Sequence, residues 1–272
     1  MTIQTIYYDE VPREPRALDV VLPDEVSAGP AICLVHGGGW YAGAREAYHE
    51  VMNWFAQRGY ACASLGYRTD GESRIAEKIS DVACGYLRFV ELLKERKEGV
   101  PVLMGSSAGA HLITLLAESG PAPWAPEMTE EWPAPAGCIP VNGPGTALEW
   151  EGIHPEIKAS LEKLCDSTYE EHPEVFRNIS PEHHISDFTP PFLVLLAENE
   201  RVFPHSFVYE WVQELRQAGV HAEVHVIPGT EHGFLYSTQE EPQRAALALI
   251  ERFLQFVSLR AAGENRRQVS QT

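Results

Sequence analysis

Val102-Leu103-Met104-Gly105-Ser106-Ser107-Ala108-Gly109-Ala110-His111-Leu112 is the stretch that decides how this chain is read. Val102 to Met104 is apolar, as a strand buried on both faces must be, and Gly105-Ser106-Ser107-Ala108-Gly109 then hands over to a helical pattern. A turn that sharp strains the backbone of its central residue and pushes the side chain outward. It also demands small residues two places before and two places after, so that strand and helix can approach. Gly105 and Gly109 meet that demand around Ser107, which is thereby presented as a nucleophile. Five residues alone would equally suit a strand-to-helix junction without chemistry.

Outward from this stretch, strands and helices alternate. Upstream, Ala31–Val35 reads as a buried strand ending in His36-Gly37-Gly38-Gly39-Trp40, and Tyr48, Val51, Met52, Phe55 and Ala56 then recur at helical spacing up to Gly59. A strand at Ala61–Leu65 follows, then one helical face made of Ile75, Ile79, Val82, Ala83, Tyr86, Val90 and Leu93, then the strand Val100–Met104. Further upstream, Ile3–Tyr8 and Ala17–Leu22 form an opening antiparallel hairpin.

Downstream, the helix that begins at the elbow runs to about Glu118. The Pro- and Trp-rich stretch 121–135 reads as a surface loop, and Gly137–Val141 as a strand. Residues 142–191 are polar with short apolar patches and one helix at 155–165, the character of an insertion. Phe192–Ala197 is the next buried strand, followed by a helix burying Phe207, Val208, Trp211, Val212, Leu215 and Ala218. Ala222–Ile227 is the last strand, less polar than a sheet edge would require, and Ala246, Leu249, Ile250, Phe253, Leu254 and Val257 define the final helix. The polar tail 260–272 predicts no ordered structure. The order implies an α/β fold: one domain over 1–259, a mostly parallel sheet flanked by helices, a cap or loop insertion at about 142–191, and ligands at the carboxyl ends of the strands.

Composition removes several classes of function. A net charge of −18 argues against a surface that tracks phosphates, so nucleic acid is not an expected partner. No apolar run approaches the roughly 20 residues of a membrane helix, and Met1–Glu10 lacks a leader's basic and apolar regions. A cytoplasmic protein without membrane contact is expected, with oligomeric state left open. Five widely spaced cysteines, an odd number without a C-x-x-C pair, suit a reducing compartment. His172 and His183-His184 lack a second ligand set at metal spacing, so no metal is expected.

Acyl transfer needs a nucleophile, a base, a group that orients the base, and donors for the oxyanion. Ser107 supplies the first. His232, in the loop after the last strand, can reach back over the sheet end as base, and the chain order Ser, acid, His places the acid after Phe192–Ala197. Glu200 fits there, with Glu198 as its neighbouring rival, whereas Asp187 precedes the strand and approaches the wrong end of the sheet. His36-Gly37-Gly38-Gly39 directly follows a strand and can turn backbone N–H groups toward a substrate, the makings of an oxyanion hole. Trp40, Tyr41 and Phe203, with Trp132 and Trp150, are candidate walls of a substrate pocket, and His111 reads as a hydrogen-bonded helix residue.

With these motifs in place, residues 15 to 258 resemble an α/β-hydrolase of the H-G-G-G esterase type, related to hormone-sensitive lipase and to bacterial feruloyl and acetyl esterases. The resemblance implies a serine carboxylesterase that needs no cofactor and acts on small-molecule esters. It implies oxyanion donors at the N–H groups of Gly38, Gly39 and Ala108, with His36 shaping the loop, and a structural pairing of Tyr67-Arg68 with Asp81. Matching Val202-Phe203-Pro204 to the family's V-x-P favours Glu200 as the acid, although many relatives carry Asp there. Two alternatives remain. Ser107-Ala108-Gly109-Ala110-His111-Leu112 is similar to the elbow of kynurenine formamidases, and some hydrolase-fold proteins resembling plant hormone receptors bind without catalysis. The short sequence before the first core strand leaves little for an N-terminal cap, from which a preference for short acyl chains is expected.

Overall fold

In a computed structural model that describes residues 2–9, 13–24, 29–130 and 132–269, the chain opens with a hairpin of β1 (Gln4–Tyr7) and β2 (Ala17–Val21), paired antiparallel. Then come β3 (Ile32–Val35), α1 (His49–Ala56), β4 (Cys62–Leu65), α2 (Ile75–Glu95), β5 (Val102–Ser106), α3 (Ala108–Ser119) and β6 (Cys138–Val141). The chain continues through α4 (Pro155–Cys165), α5 (Pro173–Arg177), β7 (Phe192–Asn199), α6 (His205–Gln217), β8 (Ala222–Glu231) and α7 (Glu241–Val269). The strands form one sheet in the order β1-β2-β4-β3-β5-β6-β7-β8, with every pair from β4 to β8 parallel.

The central strands are mostly apolar because both of their faces are covered, with Ser64 in β4 and Ser106 at the end of β5 as buried polar residues. In β3, Ile32 and Leu34 face α1 and α7 while Cys33 and Val35 face α2, α3 and α6; β7 divides Leu193 and Leu195 from Phe192, Val194 and Leu196 in the same way. Each such side chain contributes about 1.5–3 kcal/mol when fully buried. This two-sided burial makes the sheet a rigid platform whose parallel strands all end at one rim.

Two expectations fail. The tail from residue 260 continues α7 as far as Val269, with 270–272 outside the described residues. Residues 260–269 are mostly good helix formers with no proline, and extending an existing helix avoids the cost of nucleation. Among the described residues β8 is an edge strand, paired only with β7, despite its apolar look. The strand carries Glu223, which takes both His221 and His225, and Pro228, which has no N–H to offer, both features that suit an edge. The helix expected at 155–165 is α4; the five-residue α5 is too short to show periodicity in sequence. Both begin with proline at the first turn, where no N–H is missed. Leu161, Leu164 and Phe176 join them to the core on the α2/α3 side. Among the described residues no helix is long and apolar enough to cross a membrane.

Candidate active site

Ser107 joins β5 to α3 with φ 54° and ψ −119°, the strained backbone that a sharp strand-to-helix turn imposes. The flanking glycines are required by contact. A Cβ on Gly105 would lie 2.7 Å from the Gly109 backbone, and one on Gly109 would run into the carbonyl oxygens of Val35 and His36. The start of α3 is therefore packed onto the end of β3, which brings the His36–Gly39 loop beside the serine. Ser107 N–H donates to the Val141 carbonyl at 2.9 Å and fastens the turn to β6.

β8 runs four residues beyond the expected Ile227, to Glu231, and delivers His232 to the same rim. Its Nε2 lies 2.8 Å from Ser107 Oγ and its Nδ1 2.7 Å from Glu200 Oε2. An ionised carboxylate only accepts, so Nδ1 carries the proton and the Nε2 lone pair faces the serine hydroxyl. Glu200 follows β7, and its side chain is 1% exposed. Its other oxygen accepts the N–H groups of Val202 at 2.7 Å and Phe203 at 3.4 Å. Burial alone would raise the pKa of this carboxyl. The hydrogen bond and charge of His232, with the two backbone donors, outweigh it and hold the group below the usual glutamate value. Glu198 is exposed, and its Oε2 accepts the Gly229 N–H at 2.9 Å instead of meeting His232.

The loop after β3 is built by holding its carbonyls. His36 Nδ1 donates to the Gly37 carbonyl at 2.8 Å, and the ring stacks on Tyr67 with centroids 4.4 Å apart. The Gly38 carbonyl accepts the N–H groups of Ala42 at 2.9 Å and Tyr41 at 3.2 Å. Because C=O and N–H of a trans peptide point in opposite directions, restraining the Gly37 and Gly38 carbonyls turns the N–H groups of Gly38 and Gly39 the other way. Positive φ of 115° and 58° at these two positions makes the bend, which glycine accepts without penalty. Neither N–H has a protein partner among the described residues. Ala108 N–H, the first of α3, has no acceptor in its own helix and lies at the positive end of the helix dipole.

Of the candidate wall residues, Phe203 has its ring 6.0 Å from that of His232, and Trp150 stands 6.4 Å from Phe203. Trp40 is buried at φ 66° with its ring edge-on to His111. Tyr41 lies between the Lys78 ammonium, 4.8 Å from its ring centroid, and that of Lys163 on α4, at 4.3 Å, so it ties the loop after β3 to the 142–191 segment. Burial pushes its phenol up to about 12. Trp132 packs on Tyr86 of α2 instead. His111 Nε2–H donates to the Ile179 carbonyl at 2.6 Å, and burial holds the ring neutral with a pKa of about 4. Among the described residues no cluster of His, Cys, Asp and Glu is arranged to hold a metal ion.

Beneath the loop, Asp81 is fully buried. It accepts from Arg68 N–H at 2.9 Å, Nε at 2.8 Å and Nη2 at 2.8 Å, and it also pairs with Arg16. This fixes the segment carrying Tyr67, whose hydroxyl donates to the His36 carbonyl at 3.2 Å. Asp81→Asn removes the buried charge between two partly exposed arginines, of which Arg16 keeps Asp9 at 2.9 Å and Arg68 keeps Glu77 at 3.1 Å. The expected loss is about 2–4 kcal/mol, below the full cost of breaking a buried pair because both arginines keep an acidic partner and reach water. Thermal melting should fall by roughly 5–10 °C; a shift under about 2 °C would reduce the cluster to a surface feature.

Two further residues escaped sequence reasoning. Asn142, at φ 49°, accepts the Ala197 N–H at 2.6 Å and braces β6 against β7. Tyr236 accepts the Gly37 N–H at 2.7 Å across 199 positions, and no sequence signal links the two.

A serine elbow after β5, an acid after β7 and a histidine after β8, all at the carboxyl rim of a mostly parallel eight-stranded sheet, define an α/β-hydrolase. The chain belongs to the BD-FAE family, whose model matches residues 18–215. It is similar to the esterase LipC of Mycobacterium tuberculosis, 30% identical over 234 residues that cover 81% of this chain and 57% of LipC. It is also similar to the probable carboxylic ester hydrolase LipM of that organism, 27% identical over 85% of this chain and 55% of LipM. The chain thus spans little more than half the length of these two relatives. Among solved structures, a thermophilic esterase of Thermogutta terrifontis, Est2 with propionate bound, shares the fold with a TM-score of 0.74 at 21% identity, covering 94% of each chain.

Proposed function

We propose that the protein is a serine carboxylesterase that hydrolyses short-chain carboxylic esters through an acyl-enzyme. The observation that carries this is the hydrogen-bonded relay from Ser107 Oγ through His232 to Glu200. Ser107 Oγ attacks the ester carbonyl while His232 Nε2 takes its proton, and the oxyanion forms against the N–H groups of Gly38, Gly39 and Ala108. The imidazolium, steadied by Glu200, returns the proton to the departing alkoxide. Water then attacks the acyl-Ser107 ester with His232 as base, which frees the acid and restores the serine. No cofactor takes part.

Trp40, Tyr41 and Phe203 would border the substrate, and the 142–191 segment would cap the domain formed by residues 1–259. A cytoplasmic setting is supported by five cysteines, none of them in a disulfide. A short acyl group is supported by the wall that Phe203 and Trp150 build beside His232, and by the propionate held by the Thermogutta neighbour. The elbow's similarity to that of kynurenine formamidases supports a second reading, the same chemistry on an N-formyl group. An intact relay weighs against a silent binding protein. The test compares kcat/KM on p-nitrophenyl acetate, p-nitrophenyl palmitate and N-formylkynurenine. Acetate should exceed the other two by at least about 100-fold, a transition-state difference of about 2.7 kcal/mol. Equal rates on acetate and palmitate would overturn the chain-length assignment, and a dominant rate on N-formylkynurenine would move the protein to the amidases.

A further inference from the structure

We infer that Tyr236, four residues beyond His232, is a positioning residue for the oxyanion hole: its hydroxyl anchors the His36–Gly37 peptide and so sets the direction of the donors that follow. The inference rests on the esterase reading above.

Both ends of that one peptide unit are held. The His36 carbonyl accepts from Tyr67 at 3.2 Å, and the Gly37 N–H donates to Tyr236 Oη at 2.7 Å. The peptide lies against the nucleophile: a Cβ added to Gly37 would stand 2.9 Å from Tyr236 Oη, 2.8 Å from the Ser106 carbonyl and 3.1 Å from Ser107 Cβ. Three consecutive glycines give the loop little rotational resistance of its own, so the direction of each peptide depends on its partners. Tyr67 and His36 restrain the loop from the β4 side and Tyr236 from the opposite side, while Gly38 is itself exposed.

Tyr236 is in turn held in place. Its ring packs on Tyr48 with centroids 4.8 Å apart. The turn after it is fastened to α1 by Glu50, whose Oε1 accepts Thr238 N–H at 2.8 Å, Thr238 Oγ1 at 2.7 Å and Gln239 Nε2 at 2.6 Å. One loop therefore carries the base and also steadies the oxyanion donors. Tyr236 touches no reacting atom; it acts through the peptide preceding Gly38.

Removing an oxyanion donor outright costs about 10²–10³ in kcat, and loosening one costs less. Tyr236→Phe keeps the ring that packs on Tyr48 and removes the hydroxyl that accepts the Gly37 N–H. We expect kcat on p-nitrophenyl acetate to fall about 10- to 30-fold with KM within about twofold. The affinity of a trifluoromethyl ketone, whose adduct with Ser107 places an oxyanion in the hole, should weaken by the same factor. A purely structural role would lower the melting temperature without moving these two in parallel. Unchanged kcat, or a fall in kcat with unchanged ketone affinity, would overturn the inference. In the unaltered protein, hydrogen exchange at the Gly37 N–H should be slow and at the Gly38 N–H fast; fast exchange at Gly37 would overturn it equally, whether or not the variant folds. If the unaltered protein fails to turn over p-nitrophenyl acetate, the esterase reading falls and this inference falls with it.

Discussion

Ser107→Ala is expected to lower kcat on p-nitrophenyl acetate by about 10⁵- to 10⁶-fold while the protein stays folded. The size of the effect follows from the relay's acting as one unit: without Oγ, His232 has nothing to deprotonate and no acyl-enzyme forms. A residual rate above the uncatalysed one should survive, because the proposed oxyanion donors, the N–H groups of Gly38, Gly39 and Ala108, would still stabilise an oxyanion generated by water. Folding should persist because alanine keeps the Cβ that serine already carries at φ 54°, so strain is unchanged, and the bond from residue 107 N–H to Val141 involves only backbone. Retention of more than about 1% of activity, measured after excluding wild-type carry-over, would place the nucleophile elsewhere.

The next largest effect is expected at the acid. Glu200→Gln should lower kcat by about 10³- to 10⁴-fold, since an amide neither stabilises the imidazolium nor dictates that Nδ1 carries the proton. Glu198→Gln should cost less than about tenfold, because its carboxylate bonds to Gly229 N–H at the surface and does not meet the imidazole. The reverse pattern would transfer the role to Glu198. The pH dependence has a definite sign. Glu200 is held below the usual glutamate value, so its contribution to stability is complete above the unfolded-state value of about 4.3 and is lost as pH falls through the lower folded value. The carboxylate thus remains ionised throughout the mildly acidic range, and activity lost there is not lost through Glu200.

Much of this was legible in the sequence, and the reasons are physical. Doubly covered strands must be apolar, and an elbow must carry glycines where Val35, His36 and the β5 end crowd it, so β3, β5, β7 and Ser107 announce themselves. Edge character at β8 was concealed because the polar alternation of His221, Glu223 and His225, tied together through Glu223, ends at the apolar pair Val226-Ile227. The helical end of α7 was hidden because polar composition speaks to burial, whereas helix extension depends on propensity and an existing nucleus. Tyr236 and Asn142 act on backbone groups far away in the chain, and a bond to a peptide N–H leaves no trace in the identity of the residue that donates it.

The most direct test of a nucleophilic serine is covalent. The folded protein should react with a fluorophosphonate at one site per chain, with the added mass mapping to the peptide containing Ser107, and Ser107→Ala should not react. Absence of labelling in the unaltered protein, or a label on any other residue, would contradict the relay on which this account rests.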